Sequence, residues 1–101
     1  MIDDRKAPAL VADVGGTNIR LATVSGGGLQ NQTTRLCADF ETLADALQAY
    51  IDRSFGGASP SEAAIAVAGP VKGDQVDITN QKWSFSIETL RADLKLPKQV
   101  V

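Results

Sequence analysis

The stretch LVADVGGTNIRLATV, residues 10–24, places two apolar runs on either side of Gly15-Gly16-Thr17. The first run, ALVADV at 9–14, reads as a strand that carries one carboxylate, Asp13. The second, NIRLATVS at 18–25, alternates. Ile19, Leu21 and Thr23 face one way, and Arg20, Ala22 and Val24 the other. Two such runs joined by a short glycine turn predict an antiparallel hairpin. Gly26-Gly27-Gly28 supplies the next turn, and LQNQTTRL at 29–36 is polar enough for an outer strand. The chain therefore opens on an antiparallel three-strand meander, and that reading decides the fold class.

Beyond the meander, Asp39 is a candidate N-cap. Phe40, Leu43, Leu47, Tyr50 and Ile51 then recur at helical spacing, which predicts a helix ending near Phe55. AAIAVAGPV at 63–71 is a short continuous apolar run, as expected of a strand buried on both faces. It should lie parallel to the first strand after a helical crossover. Gly69-Pro70 ends it, Lys72-Gly73-Asp74 is a turn, and QVDIT a further short strand. Ser86 is placed to cap a second helix whose inner face is Ile87, Leu90 and Leu94. KQVV at the end reads as the start of another strand. These elements predict an α/β fold, a mixed sheet partly covered on both faces by the two helices. Residues 1–8 form a polar lead-in, and the structured part is 9–101.

Composition narrows the function classes. The chain has 101 residues, 44% of them hydrophobic and 22% charged, with a net charge of -2. That balance gives nucleic-acid binding no electrostatic support. No histidine is present, so a Ser-His-Asp triad, a Cys-His pair or a histidine-based zinc site cannot be built from this chain. Cys37, alone of its kind, reads as a small packing residue. The first residues are acidic where a signal peptide is basic, and no run reaches membrane-spanning length, so a cytoplasmic protein is expected. The sequon Asn31-Gln32-Thr33 has no secretion signal to accompany it.

The chemistry concentrates at the first turn. A carboxylate at a strand end is ordinarily a turn former bonded to nearby amides. Its neighbours favour a second reading. Gly15 and Gly16 let a ligand approach the backbone closely, and successive amides in such a turn form an anion-binding concavity. Thr17 adds a hydroxyl and Asn18 a side-chain amide. A carboxylate beside a phosphate cradle needs a cation between them. Hydrated Mg²⁺ is commonly held by one or two carboxylates together with phosphate oxygens. Asp13 would then hold the metal through water, with Gly15, Gly16 and Thr17 around the phosphate. The sequence contains neither a GxxxxGK[ST] nor a GxGxxG motif.

DVGGTNIRLA resembles the first phosphate motif of sugar kinases in the actin and hexokinase superfamily. The second stretch, AIAVAGPVKGDQVDITNQKWSFSIETLRADL, is more distinctive. A strand ending in Ala-Gly-Pro, a short turn, then T-N-x-x-W-x-F-S before a helix resembles the bacterial glucokinase family. The resemblance spans residues 9–101 and implies the N-terminal portion of an RNase H-like, actin-like ATPase lobe, truncated, with the second lobe absent.

The resemblance also implies a function. Glucokinases transfer the γ-phosphoryl group of ATP to the 6-hydroxyl of glucose, with Mg²⁺. By position, Ala12 and Val14 would contribute backbone to the ATP phosphate site alongside Asp13, Gly15, Gly16, Thr17 and Asn18. Gly69 and Pro70 would shape the wall of a cleft for glucose or a related hexose. Thr79, Asn80 and Lys82 would line it, with Asn80 the foremost candidate for a polar contact. Arg20 either reaches phosphate or points off the strand into solvent or a salt bridge. The general base, an Asp in an Asn-Asp pair, is expected just after Val101, so the 101 residues are expected to be inactive alone. A sugar-sensing regulator, or a non-catalytic member of the same superfamily, is the alternative.

Overall fold

The computed structural model describes residues 8–26, 28–56, 60–67, 69, 71–78, 83–94 and 96. The expected lead-in and the KQVV strand lie outside the described residues, apart from Pro8.

Three strands form the meander: β1 (Ala9–Val14), β2 (Asn18–Ser25) and β3 (Gly28–Leu36). β1 and β2 are antiparallel, with Val14 opposite Ile19 next to the turn. β2 and β3 are also antiparallel, with an irregularity between Leu21 and Thr23. On β3 the extra residue falls beside Asn31, whose φ is 53°. Asparagine tolerates this left-handed conformation better than most residues. The Asn31 carbonyl accepts from the Tyr50 hydroxyl at 3.0 Å. Tyr50 also shares a 2.9 Å hydrogen bond with Thr23 Oγ1, so a buried hydroxyl network fixes the hairpin against the following helix.

That helix, α1 (Leu43–Ser54), begins later than the sequence spacing predicts. Thr42 is its N-cap, its hydroxyl accepting from Asp45 N at 3.1 Å. Asp39 instead closes a 3-10 turn, Cys37–Asp39, and Phe40 is extended. The apolar stripe is as expected from Leu43 onward: Leu43, Leu47, Tyr50 and Ile51 are buried.

β4 (Ala63–Val67) pairs parallel with β1, and the sheet order is β3-β2-β1-β4. Ala63 and Ile65 face the core while Ala64 and Ala66 are exposed, so β4 is not buried on both faces. Its continuous apolar run reflects small outward-facing alanines, Ala64 and Ala66. β5 (Val71–Lys72), β6 (Gln75–Asp77) and β7 (Ser84–Ser86) build a second antiparallel sheet that continues into α2 (Ile87–Asp93). Ser86 caps α2 as expected, accepting from Thr89 N at 3.2 Å.

One cluster joins Leu10, Ala12, Val14, Ile19 and Leu21 of the main sheet to Leu47 and Ile51 of α1, Val76 of β6 and Leu90 of α2. Both helices thus serve a single core on one face of the sheet. This corrects the expectation that they cover both faces. On the opposite face Asp13, Arg20, Ala64 and Ala66 are exposed. Alternation along β1 and β2 produces the division, since inward and outward side chains separate at a period of two.

Candidate functional site

The turn between β1 and β2 is closed by its own backbone. Gly15 N–H donates to the Asn18 carbonyl at 2.9 Å. A Cβ on Gly15 would stand 3.4 Å from that carbonyl, so the turn is compact. The Gly15 amide is therefore committed inside the turn and contributes shape. A cleft of about 280 Å³ opens on the other side, lined by Asp13, Gly15, Gly16, Thr17, Asn18 and Arg20. Thr17 and Asn18 are exposed, and bring a hydroxyl and an amide to it. Ala12 and Val14 are buried, so only their backbone is near the site.

Strand register adds a residue whose role the sequence left open. Asp13 and Arg20 are direct cross-strand partners, one on β1 and one on β2. Both are exposed on the outward face of the sheet and both line the cleft. The site thus combines one carboxylate, one guanidinium, a hydroxyl, an amide and two glycines. The carboxylate, which interrupts an apolar strand, is not buried. It lies on the solvent side of the alternation, where holding a hydrated cation carries no desolvation cost of the kind an interior carboxylate incurs.

The donor set suits Mg²⁺ in one form only. Among the described residues no group of three or more His, Cys, Asp or Glu side chains stands close enough to cage a metal. A single carboxylate beside this open cleft instead fits an ion that keeps its waters and shares phosphate oxygens.

Pairing in the main sheet brings the two sequence motifs to the same edge. In the parallel pair, Val14 lies beside Val67, so the Gly15–Thr17 turn and the segment after β4 leave the sheet at one end. Crevices beyond the carboxyl ends of parallel strands are the usual ligand sites of α/β folds. Gly69 stands in that segment, packed on β6: a Cβ there would lie 1.9 Å from the Asp77 carbonyl oxygen. Its contact is thus with protein backbone. Pro70, Thr79, Asn80 and Lys82 lie outside the described residues. The residues flanking 79–82 are firmly held. Ile78 N–H donates to the Trp83 carbonyl at 3.0 Å, and Trp83 Nε1 donates to the Phe40 carbonyl at 3.3 Å. A separate groove of about 350 Å³ between the start of α1 and the β7–α2 segment shares no residue with the turn cleft.

Comparison with known proteins places the chain in a family. A family model described as Glucokinase matches residues 10–101. The glucokinase of Neisseria meningitidis serogroup C is 44% identical over 90 residues, which are 88% of this chain and 27% of that protein. The glucokinase of Aromatoleum aromaticum is 44% identical over 96 residues, 93% of this chain and 29% of that protein. The crystal structure of a glucokinase from an Antarctic psychrotroph superposes with a TM-score of 0.80 at 34% identity, covering 89% of this chain and 30% of that one. The chain thus spans less than a third of the length of each of these relatives.

Proposed function

Because the chain belongs to the glucokinase family, we propose that its β1–β2 turn is the metal and phosphate half of an ATP-dependent glucokinase site. The observation that carries the reading is the cleft in which Asp13 and Arg20, paired across two strands, flank the Gly15–Asn18 turn. Phosphoryl transfer is governed mainly by positioning and by stabilising charge on the transferring group. The residues present divide that work. Asp13 is the carboxylate placed to hold Mg²⁺ through its waters. Gly15 and Gly16 keep side chains out of the phosphate's approach. Thr17 and Asn18 offer hydrogen bonds to phosphate oxygens, and Arg20 offers a charge-assisted one. Bound Mg²⁺ neutralises charge on the phosphate oxygens. The acceptor in this reading is the 6-hydroxyl of glucose, with Gly69, Pro70, Thr79, Asn80 and Lys82 its candidate sugar-side residues from the sequence.

Transfer to a hydroxyl also asks for a general base within hydrogen-bond reach of the attacking oxygen. Asp13, the one carboxylate lining the turn cleft, is assigned to the metal. The 101 residues are therefore expected to bind phosphate without turning over.

The test is a titration of the chain with ATP, with and without Mg²⁺, followed by amide chemical shifts. Shifts should concentrate at Gly15–Arg20 and require Mg²⁺. Asp13→Asn should remove the Mg²⁺ requirement together with most of the affinity. Equal binding by the wild type and Asp13→Asn would overturn the assignment of the metal to Asp13.

A further inference from the structure

The phosphate turn is held from behind by a residue outside its motif. Cys37 follows the last residue of β3 and is completely buried. The pairing of Asn18 with Leu36 brings it beneath the turn. Two bonds run from it to the turn. Its backbone N–H donates to the Thr17 carbonyl at 2.8 Å. Its thiol donates to the Gly15 carbonyl, with Sγ 3.6 Å from the oxygen.

Both acceptors are carbonyls of the turn, two residues apart. Carbonyl oxygens carry partial negative charge and repel phosphate. A turn that faces phosphate must direct them elsewhere. Cys37 draws both toward the core. Burial pushes its thiol above the ordinary cysteine range, which keeps the sulfur protonated and able to donate at neutral pH.

We infer that Cys37 is a positioning residue for the phosphate turn: it fixes the Gly15 and Thr17 carbonyls inward, so that the opposite side of the turn meets the ligand. The ligand in this inference rests on the phosphate reading above. The fixing of the turn does not.

Packing alone and positioning order the variants of Cys37 differently. Valine fills the buried volume but cannot donate. Serine donates but is more polar and smaller. If Cys37 only packs, Cys37→Val should resemble the wild type and Cys37→Ser should be the impaired variant. If Cys37 positions the turn, the order reverses at the turn, whatever happens to the melting temperature.

Two readouts on the 101-residue chain decide this: amide hydrogen exchange at Gly15–Asn18, and the Kd for MgATP. Cys37→Ser should keep both within about twofold of the wild type. Cys37→Val and Cys37→Ala should speed exchange at the turn and weaken MgATP by about two- to fivefold, the scale of one modest hydrogen bond. Wild-type exchange and affinity in Cys37→Val would overturn the inference. So would a Cys37→Ser as impaired as Cys37→Val.

If the wild type fails to bind MgATP while exchange follows the serine-over-valine order, the phosphate reading fails and the positioning stands. Should Cys37→Ser not fold, amide exchange at Gly15–Asn18 in folded Cys37→Val against the wild type decides alone: faster exchange at the turn supports the inference, and wild-type exchange overturns it.

Discussion

Gly69 carries a severe steric demand, far tighter than that of Gly15. An added Cβ would lie 1.9 Å from the Asp77 carbonyl oxygen and 3.0 Å from its carbon, both backbone atoms with little room to yield. Gly69→Ala should therefore force the end of β4 away from β6 and cost about 3 kcal/mol, in the upper range of overpacking losses. Urea denaturation measures it. Gly15→Ala meets its neighbour at 3.4 Å, an ordinary contact, and should cost much less. Asp13 presents the opposite case. It is exposed, and its value lies in what it binds, so Asp13→Asn should leave stability within about 0.5 kcal/mol while removing Mg²⁺-dependent ATP binding. A loss of both together would mean that Asp13 is structural. The sequence made Asp13 legible because a carboxylate interrupting an apolar strand stands out. Its exposure and its pairing with Arg20 follow from register, which a single strand does not display. The packing of Gly69 on Asp77 is not legible in the sequence, because that backbone lies eight positions away.

At the scale of elements, the caps decide where helices begin. Asp39 and Thr42 are both capping residues, three positions apart, and Phe40 lies on the apolar spacing of the helix. What separates them is tertiary. Phe40 is extended, its carbonyl accepts from Trp83 Nε1, and its ring faces the Arg35 guanidinium at 5.0 Å. The helix starts only after those contacts are made. Thr42→Ala should cost about 1 kcal/mol, the usual loss of a hydroxyl N-cap, and Asp39→Ala should cost far less. α2 has a second device. The Asp74 carboxylate accepts from Glu88 N at 2.9 Å and from the Ser86 hydroxyl, and the Asp74 carbonyl accepts from Ile87 N at 2.8 Å. The Ser86 bond first, then the Glu88 amide, hold this carboxyl below the usual aspartate range. A group depressed in the folded state contributes stability above its unfolded value and loses it as pH falls through the folded one. Asp74 support should thus be complete at neutral pH and fall progressively as pH drops below about 4. Asp74→Asn should lower the melting temperature at pH 7 and flatten its dependence on pH in the acid range. Equal acid slopes for the two proteins would count against this. The strands β5 and β7 escaped the sequence reading because two or three residues show no period.

At the scale of the molecule, the two sheets raise the question of whether they fold as one. The main sheet with α1 and the β5–β7–α2 segment are each recognisable units of secondary structure. Helical and strand periodicity predicted most of their parts and the parallel β1–β4 pair. It could not show that both helices fall on the same face, because amphipathic stripes record that a face is buried and not against what. Val76, Ile78, Trp83, Ile87 and Leu90 from the second unit join the cluster of Leu10, Val14, Ile19, Leu47 and Ile51 from the first. Trp83 also binds the Phe40 carbonyl across the boundary. Removing either unit would strip the other of part of its apolar cover, so neither should persist without its partner. Unfolding should accordingly be one cooperative transition. Trp83 is the chain's single tryptophan and is buried at the junction, while far-UV circular dichroism reports both units. The two probes should give coincident urea midpoints and equal slopes, the signature of a two-state domain. A fluorescence midpoint clearly below the dichroism midpoint would show the β5–β7–α2 segment detaching first. The shared core would then be a contact between separate folding units. A saturating glucose-dependent ADP-release assay on the same preparation should stay at the no-enzyme rate, because with Asp13 assigned to the metal as proposed, no second carboxylate among the described residues lines the turn cleft to act as base. Turnover above that rate would place the base within these 101 residues.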